Sequence, residues 1–135
     1  MAEAVVLDAS ALLAYLQDEP GGGRVEEALA DGALISTVNY AEVLSRLSDT
    51  GEDSESTHHR LQEQGLIGGL LDVVPLTEDD AIEIARQRPA TRAMGLSLGD
   101  RACLATGLRF GRAVLTADRI WSTLALGVDV LLIRS

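Results

Sequence analysis

The run Ala4-Val5-Val6-Leu7-Asp8-Ala9-Ser10-Ala11-Leu12-Leu13-Ala14-Tyr15-Leu16 changes character at Asp8. Before it stand four apolar residues, two of them β-branched, which fits a buried strand. Asp8-Ala9-Ser10 is a polar turn, and Ala11 to Leu16 continues as a helix. Strand, polar turn and helix together open an α/β unit. The helix stops at Pro20-Gly21-Gly22-Gly23. That triple glycine is no phosphate loop, because no Gly-Lys-Ser/Thr follows.

The same alternation continues outward from this start. Residues 24–30 read as a short helix, 33–36 as a second strand and 40–47 as a helix with Val43, Leu44 and Leu47 on one face. The stretch 49–56 is acidic and turn-rich, which predicts a mobile loop. A helix over 57–70 is weakened by Gly65, Gly68 and Gly69. Residues 72–76 fit a strand, and Pro75 assigns it to a sheet edge. Thr77-Glu78-Asp79-Asp80 caps a helix running to about Arg88. Residues 90–96 read as a loop. Ser97 opens a helix whose small residues Ala102, Ala105 and Gly107 permit close packing. Residues 113–116 form a strand, Ile120-Trp121 start a short helix, and 128–133 close the chain as a strand. The pattern predicts an α/β sandwich with a mostly parallel sheet, formed by one domain over 1–135.

Composition narrows the function. Aromatics are 3% of 135 residues, which leaves few platforms for stacking bases. A single cysteine, Cys103, excludes an internal disulfide and a cysteine-based metal site. No apolar run reaches signal or membrane length, so a cytoplasmic protein without a membrane segment is expected. The net charge of −10 argues against nucleic acid until its distribution is considered. Residues 1–85 carry three arginines against 18 acids; residues 86–135 carry eight against three. There is no lysine. Guanidinium groups suit bidentate contact with phosphate or carboxylate. Two surfaces or two partners are one reading; solubilising charge on two faces is the other.

Four acids stand where helices begin: Asp8, Glu42, Asp100 and Asp118. Each is explicable as an ordinary helix-starting residue. Asp8 and Asp118 fit N-caps, and Ser97-x-x-Asp100 and Asn39-x-x-Glu42 have the form of capping boxes. Taken together they carry more weight. A helix following a parallel strand begins at the sheet edge where that strand ended, and sites in open α/β sheets form there. Four helix-initiating acids in one parallel α/β domain can therefore face one another. Clustered carboxylates repel, and a divalent cation is the natural compensation. An all-oxygen donor set favours Mg²⁺ or Mn²⁺ over Zn²⁺. Such a site polarises phosphate and activates water.

At this point the chain resembles the PIN domain, and within it the single-domain VapC-type toxins of prokaryotic toxin–antitoxin pairs. The matching residues are Val6-Leu7-Asp8-Ala9-Ser10-Ala11-Leu12-Leu13, Ala41-Glu42-Val43, Leu96-Ser97-Leu98-Gly99-Asp100-Arg101-Ala102-Cys103-Leu104-Ala105 and Leu115-Thr116-Ala117-Asp118-Arg119-Ile120-Trp121. Each motif alone is weak; the four in this order are specific, and they span essentially the whole chain. The resemblance implies a three-layer α/β/α sandwich with a parallel five-stranded sheet in the order 3-2-1-4-5. It implies a Mg²⁺-dependent endoribonuclease (Mn²⁺ as substitute), an RNA substrate, a homodimer and a small cognate antitoxin. Asp8, Glu42, Asp100 and Asp118 become the catalytic acids. Asp8, Asp100 and Asp118 become metal ligands, and Glu42 orients or deprotonates the attacking water. Ser10 and Thr116 position the carboxylates through their hydroxyls. Many relatives carry a further acid two residues beyond the last aspartate, where this chain has Ile120; that withdraws a donor from a second metal site.

Arg101 and Arg119 adjoin two of these acids and fit either RNA phosphate contacts or ion pairs. Arg86, Arg88 and Arg92 extend the same surface. His58-His59 fits an exposed helix end better than a metal site, Cys103 a small core residue, and Trp121 core packing better than base stacking. Two other functions compete. A phosphoryl-receiver domain also begins Val-Val-Leu-Asp, but it needs a lysine this chain lacks, and Ser10 stands where a second acid would be. A non-catalytic PIN-like binding module would use its acidic pocket for a basic partner.

Overall fold

The computed structural model describes residues 3–135. The opening run forms β1 (Val5–Leu7) and, directly after Asp8, α1 (Ala9–Leu16). There follow α2 (Gly22–Ala30), β2 (Ala33–Ser36), α3 (Thr37–Ser48), α4 (Ser54–Glu63), β3 (Leu71–Val74), α5 (Glu78–Arg86), α6 (Arg88–Thr91), α7 (Leu98–Phe110), β4 (Val114–Thr116) and β5 (Val130–Leu132). Turns of 3-10 helix occupy Arg92–Met94 and Arg119–Thr123. The strands form one parallel sheet in the order β3-β2-β1-β4-β5. The expected order holds, and β3, which Pro75 follows, lies at an edge.

Strand alternation divides the core into two layers. Leu7, Ile35, Leu71 and Leu115 face α1 to α4, against Leu12, Val25, Leu29, Val43 and Leu61. Their sequence neighbours Val6, Leu34 and Val114 face the other way, against Cys103 and Leu104 of α7 and against Trp121. Period-two side chains on strands covered on both faces produce this split. α5 packs on the outer side of α7, where Ile84 meets Ala102 and Ala105. Gly107 lets α7 approach closely: a Cβ there would stand 2.7 Å from Val114 Cγ1. Trp121 is fully buried, so it is a core residue and has no face to offer a base.

Three local expectations change. The acidic loop is shorter than 49–56, because Asp53 accepts from Ser56 N at 3.0 Å and starts α4 at Ser54. The segment 90–96 is partly helical, because Pro89 sits in the first turn of α6, where its missing N–H costs nothing. His58 lies half-buried inside α4 rather than at an exposed helix end, tied to Tyr40 by a 2.7 Å hydrogen bond. Among the described residues no helix is long and apolar enough to cross a membrane.

The fold places three strand ends beside one another. Asp8 follows β1, α3 springs directly from β2, and Asp118 lies two residues past β4. β1 lies between β2 and β4, and connections diverge from it to both sides; the crevice at that switch is where open α/β sheets bind ligands.

Candidate active site

An open groove of about 770 Å³ lies at this carboxyl edge, and Asp8, Glu42, Asp100 and Asp118 all line it. Two come from the acidic half of the sequence and two from the arginine half, joined by the β1–β4 pairing. Beneath them Cys103 is fully buried. Burial pushes its thiol well above its usual range, and the charges of Asp8, Asp100 and Glu42 push the same way.

Asp8 is the most enclosed of the four. Its Oδ1 accepts from Ala11 N and Ser10 Oγ, both at 2.8 Å. Its Oδ2 accepts from Thr116 Oγ1 at 2.6 Å and from Ser10 Oγ at 2.9 Å. Ser10 Oγ also accepts from Ala117 N at 3.0 Å, and Thr116 Oγ1 accepts from Asp118 N at 3.0 Å. Two hydroxyls thus join the first acid to the loop that carries the last. Burial raises Asp8 to about 6; the bonds from Thr116, Ala11 and Ser10 oppose the rise, and the Asp100 charge adds to it.

The helix-starting geometry and the groove geometry coexist. Asp8 caps α1. Asp100 completes a capping box with Ser97, its Oδ2 accepting from Ser97 N at 2.9 Å. Asp118 Oδ1 accepts from Ile120 N at 3.1 Å. In each of Asp100 and Asp118 the second oxygen has no hydrogen-bond partner among the described residues.

Glu42 is held differently from the capping box its sequence suggests. Ser36 caps α3, so Asn39 already lies inside the helix. Asn39 is buried, and its side chain makes three bonds. Oδ1 accepts from Ser36 Oγ at 2.6 Å, while Nδ2 donates to Glu42 Oε1 and to Gly99 O, each at 2.9 Å. Gly99 crowds the same carboxylate: a Cβ there would lie 2.5 Å from Glu42 Oε2. Neither Asn39 nor Gly99 stood out in the sequence as a site residue. The Ser36-x-x-Asn39 spacing was a visible signal that the helix starts earlier.

Arg101 departs from expectation. One helical residue turns the side chain by about 100° from Asp100, away from the groove. Arg101 is buried and its Nη1 donates to Ile84 O at 2.9 Å, tying α7 to α5. It is a packing residue rather than an RNA contact. Arg101→Met should therefore lower the melting temperature by several degrees, from a loss of about 1–3 kcal/mol, because a buried carbonyl is orphaned. Thermal denaturation measures this; an unchanged transition with weakened RNA binding would restore the phosphate role. Arg119 is exposed beside Asp118 but does not line the groove. Arg86 pairs with Glu83 at 2.9 Å.

Among the described residues no three His, Cys, Asp or Glu side chains converge closely enough to hold a metal ion as they stand. The donor set nevertheless fits a hard divalent cation. Mg²⁺ retains several waters and takes only one or two carboxylates directly, and the groove offers unpartnered oxygens on Asp100 and Asp118.

The sequence matches the family model of the PIN domain over residues 5–126. The chain belongs to the PIN domain family. Solved structures with the same PIN fold include a toxin–antitoxin complex from Klebsiella pneumoniae, 17% identical, with a TM-score of 0.75 over 98% of this chain and 99% of that one. FitAcB from Neisseria gonorrhoeae is 22% identical, with a TM-score of 0.70 over 94% and 96%. VapBC2 from Rickettsia felis, bound to a DNA fragment from its promoter, is 13% identical, with a TM-score of 0.70 over 96% and 98%. No curated protein matches the chain.

Proposed function

We propose that this PIN domain is a Mg²⁺-dependent endoribonuclease, the toxin of a toxin–antitoxin pair. The observation that carries the reading is the set of four carboxylates lining one groove at the carboxyl edge of the sheet. Toxin–antitoxin complexes among the structures of the same fold support it. The reading includes an RNA substrate, a small cognate antitoxin, a homodimer and a cytoplasmic setting.

Asp8, Asp100 and Asp118 would hold the cation, with Mn²⁺ as a substitute. When bound, the metal supplies charge to the scissile phosphate and the leaving oxygen and lowers the pKa of water. Ser10 and Thr116 fix the Asp8 carboxylate so that it presents one orientation. Glu42, held by Asn39 through Oε1, keeps Oε2 free to take the proton of the attacking water as its oxygen bonds to phosphorus. The strand breaks at the P–O bond opposite, and the leaving oxygen picks up a proton from solvent.

Purified protein with Mg²⁺ or Mn²⁺ should cut structured RNA, EDTA should stop the cutting, and Asp100→Asn should remove it. Full cutting by Asp100→Asn in EDTA would refute the reading. A second reading, an acidic pocket that only receives a basic partner, draws on the lack of three converged acids among the described residues. Calorimetry separates the two, since that module binds neither Mg²⁺ nor Mn²⁺.

A further inference from the structure

The groove's lining reaches beyond the four acids, to a fifth carboxylate, Glu19, and to two arginines. Four of the eleven arginines are engaged in ion pairs, with Glu52, Glu83, Asp80 and Glu3. Arg101 is buried. Among the described residues, Arg46 and Arg134 are the two arginines that line the groove with the four acids. Arg46 lies four residues after Glu42 on α3, so it shares that helix face about 6 Å farther along the axis. It is exposed, and its guanidinium has neither an ion pair nor a hydrogen bond among the described residues. Arg134 reaches the groove from the other end of the sequence. Ile133 N donates to Thr116 O at 2.9 Å, which pins the C-terminal tail beside the site. Arg134 Nη1 donates to Pro20 O at 2.6 Å, which fixes the guanidinium and leaves its other donors available.

We propose that Arg46 and Arg134 are the phosphate anchors of the groove, binding non-scissile phosphates of single-stranded RNA on either side of the cut. This rests on the nuclease reading above. A chain of net charge −10 must receive a polyanion into a cleft floored by carboxylates. A divalent cation answers only the reacting phosphate. Neighbouring phosphates need fixed cations, and guanidinium forks bind them bidentately. Arg46 is anchored on a helix and Arg134 on a strapped tail, so the strand is held from two separate elements. Such anchors act on binding and register rather than on the chemical step.

The test uses this chain and a labelled stem–loop RNA whose loop supplies the single-stranded segment to be cut. Binding is measured over a salt series with Ca²⁺ replacing Mg²⁺, and cleavage with Mg²⁺. Arg46→Ala and Arg134→Ala should each lower the slope of log affinity against log salt by about 0.7, and the double variant by twice that. Affinity should fall roughly tenfold per variant, with KM raised to match and kcat held. Melting curves should match wild type, since neither side chain is part of the core. Arg24→Ala removes an exposed cation on α2, outside the groove, and should leave the slope unchanged; an equal loss there would reduce the effect to net charge and overturn the proposal. Unchanged slopes and KM in the Arg46 and Arg134 variants, while wild type cuts and Asp100→Asn does not, would overturn it and leave the nuclease reading standing. Loss of oligo-glutamate binding with RNA binding intact would assign the pair to an acidic protein segment instead. Wild type that neither binds nor cuts RNA would remove both.

Discussion

Asp8→Asn is expected to abolish RNA cleavage and, in the same molecule, to raise the melting temperature of the metal-free protein at neutral pH. The two effects have one cause. Asp8 is buried, and burial lifts it from the usual 3.8 to about 6. Between those values the folded protein holds a proton that the unfolded chain has released. Stability contributed by this group is therefore lost as pH rises from about 4 to about 6, and at pH 7 the charged carboxylate is a standing cost. A shift of about two units corresponds to at most about 3 kcal/mol. Asparagine keeps the shape and removes the charge. Its oxygen accepts from Ala11 N and Ser10, and its amide faces Thr116 Oγ1, which can accept in place of donating. The gain should appear as a few degrees in a thermal melt at pH 7 and vanish near pH 3.5, where wild-type Asp8 is protonated. Cleavage should fall on the order of 10³-fold, since a ligand that compensates the cation's charge is gone. Mg²⁺ should stabilise wild type by mass action and the variant far less. A variant less stable than wild type at pH 7 by the same margin as at pH 3.5 would show that the Asp8 charge carries no cost.

Protonation of the same carboxylate predicts the metal's pH dependence. Cations bind the ionised form, so protons compete with Mg²⁺ as pH falls through about 6. Apparent Mg²⁺ affinity, followed by calorimetry, should weaken below that pH and level off above it. Affinity that does not change between pH 5 and 7 would remove Asp8 from the ligand set.

The framework of this site was legible because its signals are local. Val6 and Leu7 alternate, the polar turn at Asp8 follows, and both β1 and β2 hand over to a helix within two residues. Ser97 and Asp100 announced their capping box by spacing alone. What stayed hidden depends on contacts between segments distant in sequence. Asn39 resembled the cap of α3, and that reading concealed its role, because its partner Gly99 lies sixty residues away. Arg101 adjoins an acid in sequence but points at α5, and only the packing of α7 between α5 and the sheet decides that. The loop reading of 90–96 missed α6, because Pro89 sits in that helix's first turn, where proline is tolerated. Charge counted by halves suggested separate surfaces; the pairing of β1 with β4 instead merges both halves in one groove.

Gly99→Ala should damage catalysis without damaging the fold. Gly99 lies in the first turn of α7. Its φ is not left-handed, so alanine suits the backbone there, and replacing a helical glycine favours stability by about 0.5–1 kcal/mol. The new methyl would nevertheless stand 2.5–2.7 Å from the Glu42 carboxylate atoms. A free glutamate would swing aside at little cost. Glu42 cannot do so without breaking its bond to Asn39, whose side chain is itself fixed by Ser36 Oγ and Gly99 O. The methyl therefore either displaces the carboxylate or opens the Asn39 bridge between α3 and α7. Activity should fall about 10–100-fold, in kcat rather than KM, while the melting temperature holds or rises. Asn39→Ala reaches the same carboxylate from its other side and should reproduce the kcat loss. Because both act through one group, the double variant should lose little more than either single variant, and neither change should add to Glu42→Gln. Full cleavage by Gly99→Ala would mean that Glu42 needs no fixed position. A further loss on top of Glu42→Gln would mean that Gly99 and Asn39 act on the site by another route.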